Sequence, residues 1–213
     1  DGVDDYVSVA NNTTIARTQT ISYSIWVNLV DGSARQYIIG NQKSSNGGTG
    51  LSIESGGFLL FQVADGTNDS YFNSKVTNFT TYAPNNTWNH ILATFDGANA
   101  KIFVNGILRN NWSVTTPYTI SNYSNFWIGR RNANTSQLTN GKLDEIALFN
   151  TDQSANASTI YNGGVPNDIS SLSPVSWWRC GDGDTSPTLT DNGSASNDGT
   201  MTNFTTFSTD VPT

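Results

Sequence analysis

The chain has 213 residues, a formal net charge of −7 at pH 7 and a charged-residue fraction of only 13%. Nucleic acid and anionic membranes are disfavoured as partners, because both need a basic surface and Lys and Arg number 10 against 17 Asp and Glu. No run of about 20 apolar residues predicts membrane insertion, and the single cysteine, Cys180, excludes a disulfide within these residues. One extracellular all-β domain over 1–213 is the expected organisation.

Short stretches with alternating apolar and polar residues predict a series of β-strands. In residues 21–30 the side chains of Tyr23, Ile25, Val27 and Leu29 form one apolar face, as in a strand with one buried side. Turns rich in Gly and Asn separate the strands, so they are expected to follow one another as antiparallel meanders. The other predicted strands are 1–10, 36–42, 51–54, 58–64, 70–76, 125–131 and 141–149.

The stretch 87–110 contains the strongest local signals in the chain. Asp96-Gly97 and Asn105-Gly106 supply residues that tolerate positive φ, so each pair predicts a tight turn. Two such turns at this spacing predict three consecutive antiparallel strands.

One short helix is predicted after the last long strand. Ser154 is a suitable N-cap, and Gly163 and Gly164 are stop signals. Residues 154–162 are therefore predicted to be helical.

Two motifs in the central meander carry a family resemblance. The motif W-x-H-x-x-x-T-F-D-G at 88–97, followed by K-I-F-V-N-G at 101–106, resembles the centre of laminin-G-like and pentraxin-like domains. The opening D-G-V-D-D-Y-V-S-V at 1–9 and G-K-L-D-E-I-A-L-F-N at 141–150 fit the same family. The resemblance implies a concanavalin A-like fold: an all-β, antiparallel, two-sheet jelly-roll sandwich with one short helix.

The C-terminal segment 175–207 resembles the piece that normally opens laminin-G-like domains, although here it follows the predicted helix. We therefore predict a circularly permuted order. In it, 1–165 forms the main laminin-G-like portion, and 175–207 returns to complete the same sandwich beside strand 1–9. The alternative is the start of a second repeat. The same segment is similar to the tails of marine bacteriophage structural proteins.

Among the carboxylates, Asp144 has the predicted position in which a charge would be least favourable. Regular alternation would place it on the same strand face as Ile146 and Leu148, where an unpaired charge is unfavourable. Many relatives carry a structural calcium ion between the start of the domain and its final strand. The resemblance therefore implies Asp1, Asp4 and Asp144 as ligands of a structural Ca²⁺.

The sequence also allows these acidic residues to act without a metal. Asp144 can instead cap backbone amides or pair with Lys142 or Arg130. The stretch 182–184 and Asp191 look calcium-like as well, but they fail the spacing of an EF-hand, so a turn-rich loop is the preferred interpretation.

No catalytic residues are predicted, although glucanases share this fold. Hydrolysis of a glycosidic bond needs two carboxylates in one cleft, and Asp144 and Glu145, as successive strand residues, are expected on opposite faces. His90 is the only histidine and lies inside the family motif, which predicts a structural role. Cys180 has no catalytic partner pattern, so a buried structural position is expected.

Sugar binding would use aromatic rings together with Asn, Asp and backbone groups. Trp112 and Tyr123, expected in the loop after the central hairpin, are the candidate carbohydrate-binding residues. Trp26 and Trp127 are expected to pack in or across the sheets.

The resemblance favours a non-enzymatic, lectin-like surface module of a virion, such as a phage fibre, spike or capsid decoration. Its partners would be host or environmental glycans and other virion proteins. One alternative is a purely structural decoration or filament subunit without sugar binding, for which a homo-oligomer is expected. Another is an adhesin module of a bacterial surface.

Overall fold

Two antiparallel β-sheets form the structure, a computed structural model that describes residues 2–16, 19–41, 47–65, 71–113, 120, 125–132, 137–204 and 206–213. The strands within these ranges are β1 (Tyr6–Val9), β2 (Ile21–Leu29), β3 (Gln36–Gly40), β4 (Gly47–Glu54), β5 (Phe58–Asp65), β6 (Tyr71–Val76), β7 (Asn89–Phe95), β8 (Asn99–Val104), β9 (Ile107–Ser113), β10 (Phe126–Ile128), β11 (Gly141–Phe149), β12 (Ser176–Trp178), β13 (Thr188–Leu189) and β14 (Gly199–Thr202). The helices are α1 (Phe79–Tyr82) and α2 (Ala157–Tyr161). One sheet has the order β13-β14-β1-β10-β3-β4-β5-β6 and the other β12-β11-β2-β7-β8-β9. The predicted all-β sandwich is confirmed.

The core lies between the two sheets and follows from alternation along each strand. Tyr23 of β2 and Phe61 of β5 come from different sheets, are fully buried, and meet edge to face with ring centroids 6.1 Å apart. Trp26 lies on the opposite face of β2, as predicted, and packs there against Tyr161 of α2. The six-stranded sheet is therefore buried on both faces at this point.

The central meander forms as its turn residues predict. Gly97 has φ +95°, and Asn105 and Gly106 have φ +52° and +73°, which are the left-handed values that tight turns require. Asn105 also fixes the turn to β7, because its Oδ1 accepts a 2.9 Å hydrogen bond from the backbone amide of His90.

The predicted helix begins differently from the expectation. Ser154–Asn156 form a 3-10 turn that leads into α2. Ser154 is not the cap, since its own amide donates to the carboxylate of Asp152 at 2.9 Å. Asn162, at φ +47°, ends the helix. Among the described residues no helix is both long enough and apolar enough to cross a membrane.

The C-terminal segment contributes strands to both sheets. β14 pairs antiparallel with β1, from Tyr6 opposite Thr202 to Val9 opposite Gly199, and β13 adds to the other side of β14. β12 pairs with β11 in the other sheet. Of this segment, strand β14 therefore lies beside β1. The evolutionary permutation stays a prediction.

Asp191 organises the turn-rich loop between β13 and β14. Its carboxylate is buried and accepts hydrogen bonds from the backbone amides of Trp177 at 2.7 Å, Gly193 at 2.7 Å and Asn197 at 2.6 Å. Asp184 likewise accepts from backbone amides. These oxygens bind the chain itself, in agreement with the turn-loop interpretation.

Replacing Asp191 with Ala should lower the free energy of unfolding by about 3 kcal/mol, because three amides lose a charged acceptor and at least one stays buried without a partner. Denaturant titration measures the loss. Asp182→Asn is the control, since its partly exposed side chain makes a surface ion pair with Arg179 and should change stability by less than about 1 kcal/mol. Equal effects of the two substitutions would contradict the anchoring role of Asp191.

Candidate functional site

A pocket of about 220 Å³ lies beside β11, between the edges of the two sheets. β12 pairs only with residues 146–148 of β11, so within the described chain residues 141–145 have no strand neighbour on that side. C-terminal residues line the opening instead, namely Phe204, Thr206, Phe207, Ser208, Asp210 and Val211, and we call it the tail pocket. Its lining residues are Asp5, Val7, Trp88, Ile128, Gly129, Thr139, Gly141, Lys142, Leu143, Asp144, Ile146, Cys180, Leu189, Met201, Phe204, Thr206, Phe207, Ser208, Asp210 and Val211.

A β-bulge in β11 determines which side chains reach this pocket. The register of β11 against β2 shifts between Asp144 and Ala147, and Glu145 has a left-handed φ of +46°. Asp144 pairs with Trp26, whereas Leu148 pairs with Tyr23, three positions away on regular β2. Asp144 and Leu148 therefore lie on opposite faces. The expectation that they share a face was wrong, because the bulge adds one residue to the strand.

Asp144 is nevertheless almost completely buried, with 7% of its surface exposed. Its Oδ1 accepts a 2.8 Å hydrogen bond from the amide of Glu145, so it caps a backbone amide, as one of its two metal-free roles requires. Burial raises the pKa of Asp144 to about 7, and the hydrogen bond from Glu145 opposes this only in part. Near neutral pH this carboxyl group is therefore divided between its acid and its carboxylate form.

Glu145 is held in place by two donors. Trp177 Nε1 donates to Glu145 Oε2 at 2.6 Å, and Arg179 Nε donates to Oε1 at 3.2 Å. Burial raises the pKa of Glu145, while Arg179 and Trp177 act in the opposite direction. Because both of its oxygens have partners, Glu145 is poorly placed to act with Asp144 on a glycosidic bond.

His90 and Ser24 form a hydrogen-bonded pair that is too deeply buried for a substrate to reach. His90 Nε2 lies 2.8 Å from Ser24 Oγ, and both side chains are almost fully buried beneath α2. Burial lowers the pKa of His90 to about 3, so the ring stays neutral. Nδ1 has no hydrogen-bond partner within the described part of the chain, so no carboxylate there orients the ring as a catalytic triad requires.

Of the three predicted calcium ligands, the described residues place only Asp144 in the tail pocket. Asp144 lies in the tail pocket with Asp5, whereas Asp4 is exposed and does not line it. Asp1 lies outside the described residues. In the described part of the chain no three His, Cys, Asp or Glu side chains are placed to hold a metal ion, so these residues alone do not fit a calcium site. The complete set with Asp1 stays a prediction.

The predicted carbohydrate-binding aromatics lie elsewhere. Trp112 belongs to strand β9, not to a loop, and is 48% exposed. Tyr123 lies outside the described residues. In the six-stranded sheet β9 and β11 are four strand positions apart, roughly 19 Å at the usual strand spacing. Trp112 and Asp144 therefore belong to different surfaces.

Of the polar groups that meet at the tail pocket, Trp88 belongs to the family motif, whereas Asn28, Lys142 and Asp210 were not singled out as site residues by any sequence pattern. Trp88 Nε1 donates to Asp210 Oδ1 at 3.0 Å, and Lys142 Nζ lies 2.5 Å from Asp210 Oδ2. Asn28 Nδ2 lies 3.5 Å from Oδ2 of the same carboxylate, which is the longest distance for a hydrogen bond. The family motif includes Trp88, although its position just before a strand is a signal that the indole can lie at the rim of the sandwich.

The two antiparallel sheets define a concanavalin A-like β-sandwich. The family model of the concanavalin A-like lectin/glucanases superfamily, laminin-G type, matches residues 1–157, and the chain belongs to this family. No curated protein sequence matches the chain.

Solved structures show the same fold at low sequence identity. A candidate carbohydrate-binding protein from Bacteroides ovatus has a TM-score of 0.72 at 17% identity, over 98% of this chain and 59% of that one. Domain 4 of a GH43 extracellular arabinanase from Geobacillus stearothermophilus, in complex with arabinotriose, has a TM-score of 0.55 at 13% identity over 72% of each chain. Domains LG4-5 of the mouse laminin alpha1 chain have a TM-score of 0.53 at 12% identity, over 68% of this chain and 41% of that one.

Replacing Asp144 with Asn should stabilise the protein at pH 8. The folded-state pKa lies above the unfolded value, so between about pH 4 and 7 the folded chain keeps a proton that the unfolded chain releases. Wild-type stability therefore falls through this window as the pH rises, and the advantage of Asp144→Asn grows until about pH 7. Denaturant titrations at pH 4, 6 and 8 measure it.

Asp31→Asn provides a control of opposite sign. Hydrogen bonds from Ser33 lower the pKa of Asp31, so its contribution to stability is lost only as the pH falls from its unfolded pKa through its folded pKa, and the difference between Asp31→Asn and wild type should stay nearly constant from pH 6 to pH 8. A constant difference between Asp144→Asn and wild type at all three pH values would show that Asp144 titrates normally.

Proposed function

We propose that the chain is a non-catalytic carbohydrate-binding module whose tail pocket binds a glycan. The observation that carries this proposal is that the indole of Trp88 adjoins the hydrogen-bonding groups of Asp210 and Lys142 at the tail pocket. Sugars present apolar ring faces and hydroxyl groups together, so they suit a site of this composition. Membership of a lectin-like superfamily and the arabinotriose-bound neighbour support the same class of ligand.

Two arrangements of side chains come nearest to an active site, and neither is suited to catalysis, which supports a non-catalytic module. The Ser24–His90 pair is buried beneath a helix, and Glu145 is occupied by Trp177 and Arg179. Neither offers a free acid and base to a substrate in the tail pocket.

We further infer an extracellular setting on the surface of a virion, where host or environmental glycans and other virion proteins are the partners. The ground for this setting is the sequence resemblance of segment 175–207 to C-terminal segments of marine bacteriophage structural proteins. In this proposal a calcium ion at Asp1, Asp4 and Asp144 would stabilise the fold and would not contact the sugar.

Binding of the purified chain to a broad glycan panel, with calcium and again with a chelator, tests the proposal. We expect a defined group of glycans to bind, and Trp88→Ala to weaken that binding roughly tenfold, because central Trp contacts commonly contribute more than about 1 kcal/mol. Trp112→Ala is the matched control, since it also removes an accessible indole but at the other edge of the sheet.

Each result of the panel decides a separate point. No glycan bound in either condition contradicts the proposal. Loss with Trp112→Ala but not with Trp88→Ala would move the site to β9. Loss of glycan binding only in the presence of the chelator would support the predicted calcium site around Asp144.

A structural subunit is the second candidate function, and strand β9 favours it. Ile107, Leu108 and Trp112 are 55%, 47% and 48% exposed on this one strand, at the end of the six-stranded order. Apolar side chains gathered on an edge strand are typical of a contact with another chain.

If β9 is a subunit contact, the chain should self-associate, and Leu108→Lys should return it to the monomer. Sedimentation equilibrium measures the change. Val165→Lys is the control, because Val165 is equally apolar and 49% exposed but lies outside β9. A wild-type chain that stays monomeric at high concentration would argue against this second function.

A further inference from the structure

Three hydrogen-bond donors lie in one row across neighbouring strands at the rim of the tail pocket. Lys142 of β11 pairs with Asn28 of β2. Trp88 continues the row, because it directly precedes β7, whose Asn89 pairs with Val27. Paired residues share a sheet face and neighbouring strands are about 4.8 Å apart, so one small group can reach all three side chains. We call Asn28, Trp88 and Lys142 the donor row.

The chemistry of the donor row selects an anion with two oxygens. An ammonium group and an indole N–H can only donate, and the Asn28 amide adds further N–H donors. In the structure the row holds one carboxylate, that of Asp210, with Trp88 on one oxygen and Lys142 on the other. Hydrogen bonds from Lys142 and Trp88 lower the pKa of Asp210, as expected where the ionised form is the one that is bound.

Asp210 is held loosely enough to be exchanged. Its side chain is 50% exposed, and the residues around it, 208–211, are exposed and belong to no strand or helix. The tail is fixed on either side of Asp210, where Phe207 lies against Gly181 and Pro212 is buried. Exposed ion pairs of this kind contribute little to stability. The Asp210 side chain can therefore leave the donor row without unfolding the sandwich.

We propose that the donor row is a binding site for the carboxylate of an acidic saccharide, and that Asp210 occupies it as an internal competitor. This inference rests on the proposed glycan-binding function and names its substrate class. Asp5 and Asp144 also line the pocket and disfavour an anion near them, which restricts the acidic group of the sugar to the Lys142 end. The indole of Trp88 lies next to that position, since its Nε1 donates to the same carboxylate and the residue lines the pocket, so an aromatic ring adjoins the bound acidic group.

Competition by a tethered group has a measurable consequence. A side chain attached by a short flexible segment acts at a local concentration in the millimolar range, so a weak external ligand binds poorly until the tether's charge is removed. Asp210→Asn keeps the size of the side chain but removes its charge. We therefore expect Asp210→Asn to bind an acidic saccharide roughly tenfold more tightly than the wild-type chain does.

Titration calorimetry with oligogalacturonate and with a neutral galactose oligomer of equal length tests the inference. The gain in Asp210→Asn should appear for the acidic oligomer alone. Adding Lys142→Gln or Trp88→Phe to Asp210→Asn should remove the gain, since the first deletes the cation and the second keeps an aromatic ring but deletes the N–H donor. An equal gain for both oligomers, or none for the acidic one, would overturn the inference.

The side-chain N–H signal of Trp88, assigned by its absence in Trp88→Phe, separates this inference from the proposed function. In Asp210→Asn the signal should move, and oligogalacturonate should shift it back towards its wild-type position. If Asp210→Asn binds a neutral glycan but its Trp88 signal does not respond to oligogalacturonate, the proposed glycan-binding function stands and the inference of an acidic saccharide is rejected. Poly-glutamate restoring the signal while oligogalacturonate does not would assign the row to an acidic peptide instead.

Discussion

Backbone pairing of the C-terminal segment with both sheets is the constraint on which the rest of the structure depends. β14 hydrogen-bonds to β1 in the eight-stranded sheet, and β12 hydrogen-bonds to β11 in the six-stranded sheet. One segment thus joins the two layers at the same side of the sandwich. The buried carboxylate of Asp191 supports the join, because it ties the loop after β13 to the amide of Trp177 in β12. The tail pocket exists because β12 is too short to cover all of β11.

The bulge at Glu145 gives this part of the protein its unusual electrostatics. In a regular strand Asp144 and Glu145 would point to opposite faces, and neither would affect the other strongly. The inserted residue instead brings both carboxyl groups into one buried region, with Arg179 as a cation that acts on both of them. Arg179 forms an ion pair with Glu145 and acts on Asp144 only at a distance, so it opposes the effect of burial on the pKa of Glu145 more than on that of Asp144.

The fold could be predicted from the sequence because its signals are local. The turn at Asn105-Gly106 and the strand β2 need only a few neighbouring residues to be recognised, and both formed as expected. The prediction that β2 has one buried side was wrong, because α2 packs on its second face through Tyr161 and Trp26 and only Asn28 of this strand is not fully buried. The bulge could not be recognised in this way. Glu145 is an ordinary strand residue by type, and its left-handed backbone comes from how β11 fits against β2 and β12. The placement of Asp144 failed for that reason, and the contact of Asp210 with Trp88 spans 122 residues of sequence.

The separation of the tail pocket from strand β9 has a mechanical consequence. The two lie at opposite sides of one stiff sheet, with β2, β7 and β8 between them. A partner seated on β9 leaves the pocket unobstructed, and a ligand in the pocket is presented in a fixed direction relative to that partner. Under the two proposed functions, β9 is the side that contacts another chain and the tail pocket is the side that meets the ligand. Several copies fastened side by side would offer a row of identical openings, and weak single contacts would then add up to firm adhesion.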